Sequence, residues 1–161
     1  MRDPVAHRGD YVTGVPSTRM GPREIFRNPY AVLRHDLGRR LLVLTRIPTQ
    51  YPSIDALRET FHDLDEAVAH LPRQRTVLFI DSRRAPARND PEFEAEFGRL
   101  RKHFLRDFQK IAIIVQTAVG VLQVSRHMRV DELTVGVFTE ASEALAYLGL
   151  SLPAEYIDHL E

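Results

Sequence analysis

Two polar segments of the sequence hold groups that could do chemistry. The first, Asp81-Ser82-Arg83-Arg84-Ala85-Pro86-Ala87-Arg88-Asn89-Asp90, follows a continuous apolar run and leads into a helix start. Its carboxylate, hydroxyl and three guanidinium groups beside a helix N-terminus suit an anion or a phosphorylated side chain. The same residues also fit a solvated loop whose arginines pair with Glu92, Glu94 or Glu96. The second segment, Gln116-Thr117-Ala118-Val119-Gly120, offers Gln116 and Thr117 as hydrogen-bonding groups, and Gly120 permits close approach at a helix start. Its simpler assignment is a strand-to-helix turn capped by Thr117. In a parallel α/β sheet both segments stand at the carboxyl ends of strands, where ligands bind.

Neither segment supplies a nucleophile with a base and a third, orienting group. Asp81 and Ser82 are neighbours in sequence, so they point in different directions off an extended strand end. An enzyme centred on Asp81 is a further alternative, and the expectation is a protein that does not catalyse. The sequence has no GxxxxGK[ST] or GxGxxG phosphate loop, no GxSxG elbow and no HExxH pair. Its seven histidines (7, 35, 62, 70, 103, 127 and 159) include no two spaced four apart on a helix face. With no cysteine there is neither a thiolate zinc site nor a disulfide. No metal and no cofactor are expected.

Charge bounds the partner. Lys plus Arg number 22 against 22 acids, which argues against general nucleic-acid binding. Two of the basic residues are lysines, Lys102 and Lys110, and the rest are arginines. Nine of those arginines (2, 8, 19, 23, 27, 34, 39, 40 and 46) fall in residues 1–46, against the acids at 3, 10, 24 and 36. Arg favours bidentate carboxylate or phosphate pairing. An arginine-rich proteome accounts for the same surplus. No apolar run approaches the roughly 18 residues of a transmembrane helix. The charged N-terminus lacks the apolar stretch of a secretory signal, so a cytoplasmic address is expected.

The elements that would position these loops follow from pattern. Residues 1–28 read as a flexible tail punctuated by Pro4, Gly9, Gly14, Pro16, Gly21 and Pro22, with Ile25-Phe26 as its one apolar stretch able to dock. Residues 29–161 form the domain. Tyr30–His35 and Arg40–Arg46 read as a hairpin around Asp36-Leu37-Gly38-Arg39, with Gly38 placed to take a positive φ. Ile54, Leu57, Phe61, Leu64, Val68 and Leu71 form one helical stripe between Ser53 as cap and Pro72 as stop. Thr76–Ile80 is a fully apolar strand of the kind buried in a parallel sheet. Asn89-Asp90-Pro91-Glu92 then opens a helix with Phe93, Phe97, Leu100, Phe104 and Phe108 as its buried stripe. Lys110–Val115 is a second central strand, and Thr117–Met128 is a helix. Thr134–Phe138 is a last strand, and Thr139 caps a short helix ended by Gly149. Leu150–Glu161 is an appended turn or short helix. The order ββαβαβαβα implies a mostly parallel or mixed sheet of four to five strands with covering helices. Pairing at the hairpin's sheet edge leaves a homodimer open.

Three stretches resemble the STAS fold of anti-sigma-factor antagonists and antagonist-like bacterial proteins. Thr76-Val77-Leu78-Phe79-Ile80-Asp81 resembles the family's central strand. Lys110 to Val115 followed by Gln116 to Gln123 resembles its next strand and helix. Val137 to Leu148, with its Ala144-Leu145-Ala146-Tyr147-Leu148 ending, resembles the closing strand and helix. The likeness covers about residues 29–149. It implies a regulatory module that docks on a protein partner, a kinase or another regulator, through its strand-end loops. Family antagonists switch on phosphorylation of a Ser or Thr at the start of the helix after the central strand. This chain departs there, with Asn89-Asp90-Pro91, and the nearest hydroxyl is Ser82. Ser82 is therefore the candidate phosphoacceptor, with Arg83 and Arg84 to receive the added charge. The family's likeness to lipid-carrier domains implies an alternative, a carrier or sensor of a small apolar or acidic ligand or of a membrane surface.

Overall fold

The computed structural model describes residues 21–160. A six-stranded mixed sheet runs through it: β1 (Arg23–Arg27), β2 (Ala31–Asp36), β3 (Leu41–Arg46), β4 (Val77–Asp81), β5 (Lys110–Ile114) and β6 (Gly136–Phe138). The strands lie side by side in chain order. β1–β2 and β2–β3 are antiparallel, and every later pair is parallel. The helices are α1 (Ile54–Val68), α2 (Pro91–Phe104), α3 (Ala118–Val130), α4 (Ala141–Tyr147) and α5 (Glu155–Asp158). The general α/β class is borne out.

Local chemistry sets the boundaries. Ser53 Oγ accepts from the Ala56 N–H at 3.1 Å and starts α1, whose stripe Leu57, Phe61, Leu64 and Val68 is buried. Asp90 is the cap of α2, accepting from Glu92 and Phe93 N–H, with Pro91 in the first turn. All five residues of β4 are buried, which a strand with helices on both faces requires. Gly149, at φ 79, ends the α4 segment.

The sheet's two faces carry two cores. Leu33, Leu42, Leu44, Leu78, Ile80, Ile111 and Ile113 pack under α1, α2 and α3. Leu41, Val43, Val77, Phe79, Ala112 and Ile114 pack under α4 and α5. The asymmetry follows from topology. Successive crossovers of one hand that step in one direction deliver their helices to one face. The second face is covered only because the chain turns back after β6. The returning segment leaves a cleft beside it, over the ends of β1, β2 and β3.

Several expectations need correction. The sheet has six strands rather than four or five, and the extra one, β1, lies inside the stretch expected as a tail. Residues 1–20 of that stretch lie outside the described residues. β1 escapes a pattern reading because its register slips between Glu24 and Phe26, so Ile25 and Phe26 both pack on the core and strict alternation is lost. Since β1 pairs with β2, the hairpin edge expected to serve a homodimer is already occupied. The positive φ of the hairpin turn falls on Arg40, at 52°, rather than on Gly38. Thr139 does not cap α4; Glu140 holds that position, and its side chain makes no capping bond. α2 ends at Phe104, with Leu105 as its C-cap, so Phe108 packs from the following turn.

Candidate functional site: an arginine-lined cleft

Parallel strands with alternating faces decide which loop residues can meet. Leu41, Val43 and Thr45 of β3 share the α4–α5 face with Val77, Phe79 and Asp81 of β4. In register, Thr45 lies beside Asp81, and Val32 of β2 lies beside Thr45. These strand ends form the floor of a cleft of about 750 Å³. Its walls come from the loop after β4, from Gln116 after β5, and from Ile157, Asp158 and Leu160 of the C-terminal segment.

Five guanidinium groups reach this cleft, those of Arg27, Arg34, Arg46, Arg83 and Arg84, against the carboxylates of Asp81 and Asp158. Their states differ. Arg83 folds back on Asp81: its backbone N–H and Nε donate to Oδ1 at 3.1 and 3.0 Å, and Nη2 donates to Oδ2 at 2.8 Å. The same Nη2 donates to Asp158 Oδ1 at 3.1 Å. The bonds to Asp81 push the Arg83 pKa further up, and Asp158 adds to the effect. Arg27 pairs with Glu24 at 2.9 Å on the exposed edge strand. Arg34 is only 6% exposed, and burial pulls its pKa down. Arg84 is exposed and makes no ion pair among the described residues. Positive groups outnumber negative ones, so the cleft suits a carboxylate- or phosphate-bearing ligand.

The expected site residues divide. Asp81, Arg83, Arg84 and Gln116 come together in the cleft. Ser82 does not: it lines a cavity on the opposite sheet face, and its N–H donates to Ile114 O at 2.9 Å. The alternation that separates Asp81 from Ser82 therefore also parts Ser82 from Arg83 and Arg84, whereas Arg46 lines both spaces. Arg88 turns away as well, donating to Tyr51 O at 2.7 Å and lying 3.9 Å from the Phe93 ring centroid. Thr117 accepts from Gly120 N–H at 3.0 Å and serves as the cap of α3. A Cβ on Gly120 would lie 3.3 Å from Val115 Cγ2, so this glycine lets the first turn of α3 lie close to the residue that follows β5. The loop arginines do not pair with Glu92, Glu94 or Glu96. Glu96 is instead held by Arg99 and Arg58, which pull its pKa down to about 2.

Arg27, Arg34, Arg46 and Asp158 were not among the expected site residues. The arginine surplus in residues 1–46 was their only trace, and their convergence depends on the register of β1, β2 and β3. His62, Asp63 and Glu66 place ligand atoms within 4.8 Å of one another on the outer face of α1. His62 Nε2 lies 3.2 Å from Glu66 Oε1 there, an ordinary i,i+4 surface pair. No helix among the described residues is long and apolar enough to cross a membrane. Comparison of the chain with protein-family models, with characterised proteins and with solved structures finds no significant match.

Proposed function

We propose that the protein is a non-catalytic regulatory binding module of the antagonist-like STAS kind, whose cleft receives an acidic segment of a protein partner. The observation that carries this reading is the gathering of five arginines at the strand ends around two carboxylates. Asp158 supports it further. This residue, from the far end of the chain, already rests on Arg83 at 3.1 Å, so the chain itself fills part of the cleft with a carboxylate. A partner's Asp, Glu or phosphorylated side chain would meet Arg84 and Arg27 at the rim and Arg34 at the floor. The Asp81 carboxylate is tied up by Arg83, so it orients that guanidinium rather than serving as a base.

The test begins with capture of the partner from native lysate, followed by titration of the purified pair. Arg84→Glu together with Arg27→Glu is expected to weaken binding at least about tenfold. Wild-type affinity should fall as salt rises past the level where the screening length drops below about 10 Å. A double variant that binds like wild type would show that the cleft is not the docking surface.

A further inference from the structure

On the face opposite the cleft, the α1–α2–α3 layer leaves a cavity of about 110 Å³ against β3, β4 and β5. Leu44, Phe61, Ile80, Phe104, Ile113 and Met128 make its walls apolar. It is somewhat smaller than the roughly 150 Å³ engineered cavity that stays dry and takes up benzene. That sets the occupant's size at a single ring or a short branched chain.

Two arginines reach the lining, and they are not equivalent. Arg101 is already paired: Nε and Nη2 donate to Asp131 Oδ2 at 3.1 and 2.7 Å. Arg46 holds its Cζ 4.9 Å from the Tyr51 ring centroid, and it forms no salt bridge among the described residues. Its Nε is buried with no hydrogen-bond partner among those residues. A buried donor on a charged group is unfavourable until an acceptor arrives. Ser82 adds a hydroxyl to the same lining. The cavity thus calls for an apolar body carrying one anionic head.

We infer that this cavity binds a small apolar carboxylic acid, its ring or branched chain between Phe61, Phe104 and Met128 and its carboxylate on Arg46. Although Arg46 also borders the cleft, the apolar walls lie on the other sheet face, and the site stands apart from the protein-docking role proposed above.

Benzoate is the probe, added to methyl-labelled full-length protein, with benzyl alcohol as its neutral counterpart. Benzoate is expected to shift the methyl signals of Leu44, Ile80, Ile113 and Met128 while leaving those of Val32 and Ile157, in the cleft, in place. Benzyl alcohol is expected to bind about tenfold more weakly, the size of one charge-assisted hydrogen bond. Arg46→Met, which keeps an apolar stem, should erase that preference and retain the neutral binding. Shifts confined to the cleft methyls, no shift anywhere, or equal affinity for the two probes would each overturn the inference. So would an unchanged preference in Arg46→Met. If that variant does not fold, the two-probe comparison on the wild-type protein decides alone.

Discussion

The Tyr156 hydroxyl donates to Asp36 Oδ2 at 2.6 Å, joining residues 120 positions apart. Arg39 Nη1 donates to the same oxygen at 2.8 Å, and the Arg39 N–H donates to Oδ1 at 3.1 Å. Arg39 also lies over the Tyr156 ring, 5.4 Å from its centroid. This cluster sits at the turn between β2 and β3, whereas Asp158 meets Arg83 just past the end of β4. The C-terminal segment is therefore tied down at both ends of the sheet, and Ile157 between them is buried. Because Ile157, Asp158 and Leu160 wall the cleft, these two ties hold the site in shape.

Tyr156→Phe tests the first tie. Burial alone would raise the Asp36 pKa, but the bonds from Tyr156 and Arg39 outweigh it and hold the carboxyl below its ordinary value. Burial and the Asp36 carboxylate together push the Tyr156 phenol up, so it remains a donor at neutral pH. A hydrogen bond to a charged group is worth about 1.5–3 kcal/mol, and partial exposure places this one near the lower end, about 1.5 kcal/mol. Since the folded pKa of Asp36 is depressed, its contribution is complete above the ordinary carboxylate range and is lost as pH falls through the folded value. Urea denaturation at neutral pH should show the deficit in Tyr156→Phe, and the gap to wild type should narrow on acidification. A gap that persists undiminished at low pH would assign the loss to packing instead of to the ionised bond.

Arg83 and Arg84 are adjacent, and their substitutions should separate stability from recognition. Arg83→Gln leaves Asp81, whose side chain is 12% exposed, and Asp158 without their shared cation. The pair lies between surface and buried, so a loss of about 1–2 kcal/mol is expected. Arg84→Gln removes no bond among the described residues and should leave the denaturation midpoint where it is, yet weaken partner binding. Paired denaturation and binding measurements on the two variants check this. Equal destabilisation by both would mean that Arg84 is structural.

The legible parts of the fold were those written in local pattern. The α1 stripe between Ser53 and Pro72 and the unbroken apolar runs of β4 and β5 identify themselves by period and length. The position of the loop Asp81–Asp90 at a strand end is legible too, but sequence order alone does not divide its residues between the two sheet faces. Alternation of side chains sends Asp81 to one face and Ser82 to the other, and Arg88 follows the helix start to Tyr51. β1 was hidden because five residues with a register slip carry no period. The cleft's remaining arginines were hidden for a further reason: Arg27, Arg34 and Arg46 meet only through pairing across three strands, which composition cannot express.

Two glycines with opposite surroundings give the sharpest test of packing. Gly98 lies within α2, where a Cβ would meet nothing nearer than Arg101 Nη2 at 3.6 Å, an ordinary contact. Gly98→Ala should therefore gain the helix-propensity difference, about 0.8–1 kcal/mol. Gly136 lies in β6, where a Cβ would stand 2.7 Å from Phe138 Cε2 and 2.8 Å from Tyr147 Cε1. Those two rings pack on each other with centroids 5.5 Å apart, so neither can yield without disturbing the other. Gly136→Ala should lose about 1–3 kcal/mol, the usual range for overpacking. Thermal denaturation of the two variants should move the midpoint in opposite directions. If Gly136→Ala is as stable as wild type, β6 and α4 are not packed as closely as this geometry requires.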